Sequence, residues 1–265
     1  MTEPSYQSLL EECVAYHGHL CMGQCLGVRI AAAGLEYLGL PLLPASQRRY
    51  RDLIVVVEND RCLADAVAVV TGARLGRKTL KLRDYGKQAA TFALLGPEVG
   101  ANTGNASNKV DAGKTGGTGS ISSTNNAGNP LNISSTSCAS SVGRGSAGTD
   151  PKNPARLIGM KQAVRVSISE SLNHHFLRYC QERGWDPEDK QSQAQAVLSL
   201  PAQDFLCLTP VSLELPRGEL PGKPERVVAC AWCGERIMDG KDVEKDGLIL
   251  CRACAYGAYY ATLKC

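Results

Sequence analysis

Two Cys-x-x-Cys pairs separated by seventeen residues, Cys230-Ala-Trp-Cys233 and Cys251-Arg-Ala-Cys254, set the strongest limit on how this chain can fold. The spacing is that of paired zinc knuckles, in which two tight turns each offer two thiolates to one ion. Four thiolates close a tetrahedron around Zn²⁺ and leave no open position, so the metal expected here is structural. The segment is too small to build a large core, and metal binding is expected to supply its folding energy. Polar Glu235, Asp239, Lys241, Asp242 and Glu244 between the pairs fit a short exposed hairpin. The module is expected over residues 223–265.

The remaining residues, 1–222, must bury their own apolar surface. At 265 residues the chain is long for one average domain and short for two large ones, which favours one core with a small appendage. Its net charge is +3, from 29 basic and 26 acidic residues, without a block of like charges. Only Arg236, Lys241, Lys245 and Arg252 are basic between Cys230 and Cys254, too few for a phosphate-binding patch. Neither nucleic acid nor an anionic membrane is expected as a partner. The N-terminus lacks a basic n-region and apolar h-region, and no apolar run approaches the roughly 20 residues needed to span a bilayer. A cytoplasmic protein is expected, in which twelve cysteines serve metal binding or thiol chemistry rather than disulfides.

Apolar groups at helical spacing predict helices over 6–16 and 22–38. Leu53-Ile-Val-Val-Val-Glu58 is a continuous β-branched run, as expected of a strand buried on both faces, and 62–70 follows as a helix stopped by Thr71-Gly72. Strands are predicted at 79–83, 89–95, 163–167 and 205–213, with helices at 170–183 and 191–200. Strands and helices alternate without a regular βαβ repeat, so the expected class is an α+β core with a C-terminal zinc finger. Residues 100–150 contain ten glycines, no aromatic residue and only five Val, Ile or Leu. Such a stretch cannot bury enough apolar area to offset its ordering entropy, and 97–154 is expected to be a flexible insertion between two strands of a hairpin. Asp111-Ala-Gly-Lys-Thr115 within it is not a phosphate loop, because Asn108 stands where the first glycine is required.

The core's candidate chemistry lies in two segments. Two of the four histidines fall in His17-Gly-His19-Leu-Cys21, before a predicted helix on which Cys21 and Cys25 stack at i and i+4. Imidazole and thiolate suit zinc and other borderline or soft metals, and a helix N-terminus favours thiolate. Glu58-Asn-Asp60-Arg-Cys62-Leu-Ala-Asp65 lies where a buried strand gives way to a helix, a place where clefts form. Together the segments could supply a His/Cys/Asp cluster with an open coordination position; the alternative is small core cysteines and turn-capping histidines. His174 and His175 are adjacent helical residues and cannot share a face. Cys13, Cys180 and Cys207 are expected to pack.

With these residues in view, the chain resembles the FmdE family of molybdenum or tungsten formylmethanofuran dehydrogenase. The matching runs are His17-Gly-His-Leu-Cys21-Met-Gly23, Gly27-Val-Arg29, Glu58 to Ala66, Thr71-Gly72, Gly76-Arg-Lys78 and Asp84-Tyr-Gly-Lys87. The terminal four-cysteine module also resembles that family's treble-clef zinc finger. The resemblance implies a dimeric α+β core whose cleft uses His17, His19, Cys21 and Cys62, with Asp65 and Lys87 as supporting groups. It implies a structural zinc on Cys230, Cys233, Cys251 and Cys254, and a candidate second metal on His19, Cys21 and Cys62. The family is associated with the enzyme that reduces CO₂ to formylmethanofuran in methanogenesis. Ala73 departs from the pattern, since relatives often carry cysteine after Thr-Gly.

Three functions follow as expectations. The first is a metal-binding accessory or non-catalytic subunit of a molybdenum or tungsten formylmethanofuran or formate dehydrogenase. The second is an independent thiol-dependent enzyme with Cys21 or Cys62 as nucleophile and His19 as base. The third is a zinc-finger regulator that binds nucleic acid, which the near-neutral charge disfavours.

Overall fold

The computed structural model describes residues 3–96, 157–224 and 226–263. The glycine-rich segment 97–154, with Asp111–Thr115 and Cys138, lies outside the described residues, as does Cys265. Helix α1 (Tyr6–His17) starts where the Ser5 hydroxyl accepts the Ser8 N–H, and stops at Gly18, whose φ of 93° turns the chain out of the helix. Helix α2 (Met22–Tyr37) follows, then strand β1 (Leu53–Val57), helix α3 (Cys62–Thr71) and strands β2 (Leu80–Leu82) and β3 (Ala89–Leu95). Beyond the insertion come β4 (Leu157–Ile168), helices α4 (Leu172–Arg183), α5 (Lys190–Ser199) and α6 (Ala202–Phe205), and strands β5 (Leu206–Pro210) and β6 (Glu214–Pro216).

The strands form one sheet in the order β2-β1-β3-β4-β5, with β6 pairing the start of β4. Only β1 and β2 are parallel, and α3 makes the crossover between them, so a single βαβ unit is embedded in an antiparallel sheet. Strands β3 and β4, which flank the insertion, are antiparallel neighbours from Ala89↔Ser167 onward. All of β1 is buried, and the reason is two-sided cover. Leu53, Val55, Val57, Phe92, Val164 and Val166 pack under the helices, while Ile54 packs against Leu215 and Leu220 on the opposite face. Among the described residues no helix is long and apolar enough to cross a membrane.

Helix α2 lies unusually close to its neighbours because three of its residues lack a side chain. A Cβ on Gly27 would lie 2.6 Å from the Ala66 Cβ on α3, and one on Gly34 would lie 2.2 Å from the Phe92 ring on β3. Arg29 on the same helix is buried, its Nη1 donating to the carbonyls of Val197 (2.8 Å) and Leu198 (2.7 Å) at the end of α5. Its guanidinium also lies over the rings of Tyr6 and Phe205, and burial lowers its pKa from the ordinary value.

The C-terminal module contains β7 (Val227–Ala229), β8 (Arg236–Met238), β9 (Val243–Lys245), β10 (Leu248–Leu250) and a short helix α7 (Arg252–Tyr256). One hairpin was expected between the cysteine pairs; the module has β9–β10 there, and β8 reaches back to pair with β7 across the first pair. Its own buried core is only Cys230, Ile237, Leu250 and Ala255. The module docks on the larger core where Lys78 pairs with Asp239 (2.6 Å) and Arg83 with Glu219 (2.5 Å). Gly218 lets the chains touch there, since a Cβ would lie 2.3 Å from the Asp239 carbonyl oxygen.

Gly34→Ala would gain helix propensity on an open surface, but here it should lower stability by about 1–3 kcal/mol through overpacking against Phe92. Urea unfolding of the full chain checks this. Arg29→Met should cost about 1–3 kcal/mol, because two buried carbonyls lose their donors, with loss of amide protection concentrated in α5.

Candidate metal centres

Four thiols converge in the C-terminal module. Cys230 leaves β7 into a tight turn that Gly234, at φ 77°, completes, and Cys251 caps the N-terminus of α7, one turn before Cys254. The four sulfur atoms all lie within 4.8 Å of one another, with Cys233 and Cys251 at 4.0 Å. Zn–S bonds of about 2.3 Å imply sulfur–sulfur edges of about 3.8 Å, so the cluster is close to the size a tetrahedral ion requires. Backbone N–H groups of the turn and of Cys251 pull the Cys230 thiol down to about 6. Cys254 is pushed up to about 12 by hydrogen bonding to Cys251, then by burial. Thiols this close cannot all ionise unless a cation joins them. The four cysteines could hold a metal ion, and the all-sulfur set is consistent with zinc.

A second group forms at the junction of three helices. His17 is the last residue of α1, Cys21 is the N-cap of α2, and Cys62 is the first residue of α3. Their ligand atoms lie within 4.8 Å of one another. His17 Nδ1 is 2.8 Å from Asp65 Oδ2, one turn into α3, so Nδ1–H donates to the carboxylate and Nε2 keeps its lone pair. That Nε2 is buried and has no hydrogen-bond partner among the described residues. A buried acceptor of this kind is costly unless something fills the place beside it.

The backbone around the group is shaped for close approach. A Cβ on Gly23 would lie 2.9 Å from the Cys62 Cβ and 3.8 Å from the Cys21 sulfur. Gln24, fully buried, donates its side-chain N–H to the Cys62 carbonyl at 2.5 Å. The Cys62 thiol is pushed up by burial first, then by the hydrogen bond and charge of Cys21 and by Asp65.

The other sequence candidates are placed as follows. His19 is exposed and stays outside the group; its ring packs on that of His17, 4.6 Å away between centroids. Cys25 is buried, donates to the Cys21 carbonyl and is pushed up to about 12 by burial. Cys13 is likewise pushed up to about 12 by burial against α3, and Cys180 is buried. Lys87 has an exposed side chain, while its carbonyl accepts from Asn59. His174 is exposed and His175 half-buried. Gly23 and Gln24 are the contributors that single-residue chemistry could not flag, because one acts through the atom it lacks and the other through its backbone partner.

Residues 16–108 match a family model described as "FmdE, Molybdenum formylmethanofuran dehydrogenase operon". A curated relative from Archaeoglobus fulgidus, named a probable S-adenosyl-L-methionine-binding protein, is 39% identical over 84 residues, which are 32% of this chain and 23% of the relative. The chain thus spans under a quarter of that relative's length. A solved FmdE-like protein of tungsten formylmethanofuran dehydrogenase, from Syntrophus aciditrophicus, covers 98% of this chain and 100% of its own, at 16% identity and a TM-score of 0.48. That structural similarity is too low to carry weight. The matched segment supplies every atom of the His17, Cys21 and Cys62 group, and over residues 16–108 this chain is FmdE-like.

Proposed function

We propose that the His17, Cys21 and Cys62 group binds a second metal ion, beside a structural zinc held by the four C-terminal cysteines. The chain then acts as a metal-binding accessory or subunit of a molybdenum or tungsten formylmethanofuran or formate dehydrogenase. The observation that carries this reading is the buried, unpartnered His17 Nε2, held in the lone-pair tautomer by Asp65 within reach of two thiols. A carboxylate behind a ligating histidine is the usual support of a metal ligand, fixing the ring and raising its basicity. Three protein ligands leave a fourth position open, whereas four cysteines close theirs. A metal bound there supplies a Lewis acid with an exchangeable position. His17, Cys21 and Cys62 hold it, Asp65 holds the proton on Nδ1, and Gly23 lets the two cysteines approach.

The family description supports dehydrogenase subunits as partners, and a homodimer is part of the same proposal. In the terminal module a knuckle, a hairpin and a helix bearing the second cysteine pair follow one another in treble-clef order. A thiol-dependent enzyme is less well supported, because burial pushes the Cys62 thiol up and away from ionisation near neutral pH.

Metal stoichiometry by plasma mass spectrometry tests the reading on the full chain purified without oxygen. Two metal ions per chain are expected, falling to one in His17→Ala/Cys62→Ser; a single ion in the wild type would overturn the second site. Asp65→Asn should retain the site but bind about 10–100-fold more weakly in competition with a chromophoric chelator. Removing all metal with a strong chelator should abolish amide protection at Ile237 and Leu250 while Val55 and Phe92 stay protected, as read by hydrogen exchange.

A further inference from the structure

Beside α3 lies a cleft of about 710 Å³, walled by α1, the turn after α3, and β2. Its volume is within the range of about 300–1,000 Å³ common for small-molecule sites. Five cationic side chains line it: Arg48, Arg61, Arg74, Arg77 and Lys81. Three acids do so as well, but two are already engaged. Glu12 pairs in bidentate fashion with Arg48, and Asp65 accepts from His17. Only Asp60 stands against Arg61, Arg74 and Arg77, none of which has an ion-pair partner among the described residues.

Lys81 adds to the excess. It is buried, and its ammonium donates to the carbonyls of Lys78 and Glu219, leaving one N–H uncommitted. A smaller cavity of about 390 Å³ shares Gly72, Ala73 and Arg77 with the cleft, and its lining includes Arg49 and Arg51 but no acid. Between the charges, Val57, Ala68, Val69 and Leu80 offer apolar wall. This combination suits a ligand with a less polar body and more than one anionic group. Guanidinium forks match carboxylate and phosphate alike, and a concave site of this size on a chain of net charge +3 fits a small molecule better than a polymer.

We propose that this cleft binds a small organic polyanion bearing carboxylate or phosphate groups, with Arg61, Arg74 and Arg77 as its charge-recognising residues. The site stands on these residues alone and does not require metal in the His17 group.

Titration calorimetry on the full metal-loaded chain at low ionic strength tests it, with three probes: trimesate (an aromatic tricarboxylate), adenosine diphosphate and a single-stranded oligonucleotide. At least one small probe should bind at one per chain, trimesate alone pointing to carboxylate ligands and adenosine diphosphate alone to phosphate ligands. In Arg74→Gln/Arg77→Gln that binding should weaken at least about tenfold. Both side chains are exposed, so the thermal midpoint and metal content should be unchanged, and Arg178→Gln on α4 should bind as wild type. Failure of both small probes, wild-type affinity in the double variant, or an oligonucleotide that outcompetes both would overturn the proposal.

Discussion

The missing side chains at Gly23, Gly27 and Gly34 are the constraint from which the arrangement of the core follows. They lie along α2 where it meets Cys62, Ala66 and Phe92, and each would bring a Cβ closer than van der Waals contact allows. A helix normally loses stability at glycine, by about 1 kcal/mol each relative to alanine. Here the loss is offset by close packing of α2 on α3 and on the sheet. The same closeness brings the first residue of α3 against the N-cap of α2, so the packing that buries the core also sets Cys62 beside Cys21. Arg29 extends the effect to the far side of α2, where it ties down the end of α5.

The two cysteine-bearing sites illustrate different relations between a metal and a fold. In the terminal module four buried residues cannot offset the ordering entropy of nearly forty, so an ion must contribute the folding energy. The His17 group sits instead on a core that buries its own apolar surface from Leu9 to Leu206. A metal there is not needed to fold the chain, and ligands placed by rigid helix ends are free to leave one position open. Lys78 and Arg83 join the two parts through ion pairs to Asp239 and Glu219, which are half-exposed contacts of modest strength.

How much of this was legible in sequence follows from how local each signal is. The buried β1 strand and α3 were readable because a continuous β-branched run and a helical repeat report on their own surroundings. The four-cysteine cluster was readable because its ligand spacing is short. Its strand pairing was not, since β8 turns back to β7, before the first cysteine, and nothing in the residues between the pairs signals that partner. The two core segments were recognisable as candidates, but not which histidine would face the thiols. Gly18 in a left-handed conformation takes the chain out of both the helical and the extended period, so His17 turns inward onto Asp65 while His19 is left exposed. The cationic cleft was invisible, because Arg48, Arg61, Arg74 and Arg77 come together only once α3 crosses between β1 and β2.

Asp65 belongs to both the His17 group and the cleft, and its two roles act over different distances. Its hydrogen bond to Nδ1 is short and directional, and decides which ring nitrogen carries the proton and where the lone pair points. The field of the cleft's guanidinium groups is long-ranged but reaches a side chain that is 44% exposed, where solvent weakens it. Charge in the cleft therefore changes the electron-donating strength of His17 only slightly so long as that hydrogen bond is intact. A ligand that itself hydrogen-bonds to Asp65 would be another matter, because it would compete for the carboxylate that orients the imidazole. Coupling between the two sites thus depends less on the ligand's total charge than on whether it carries a donor that reaches Asp65.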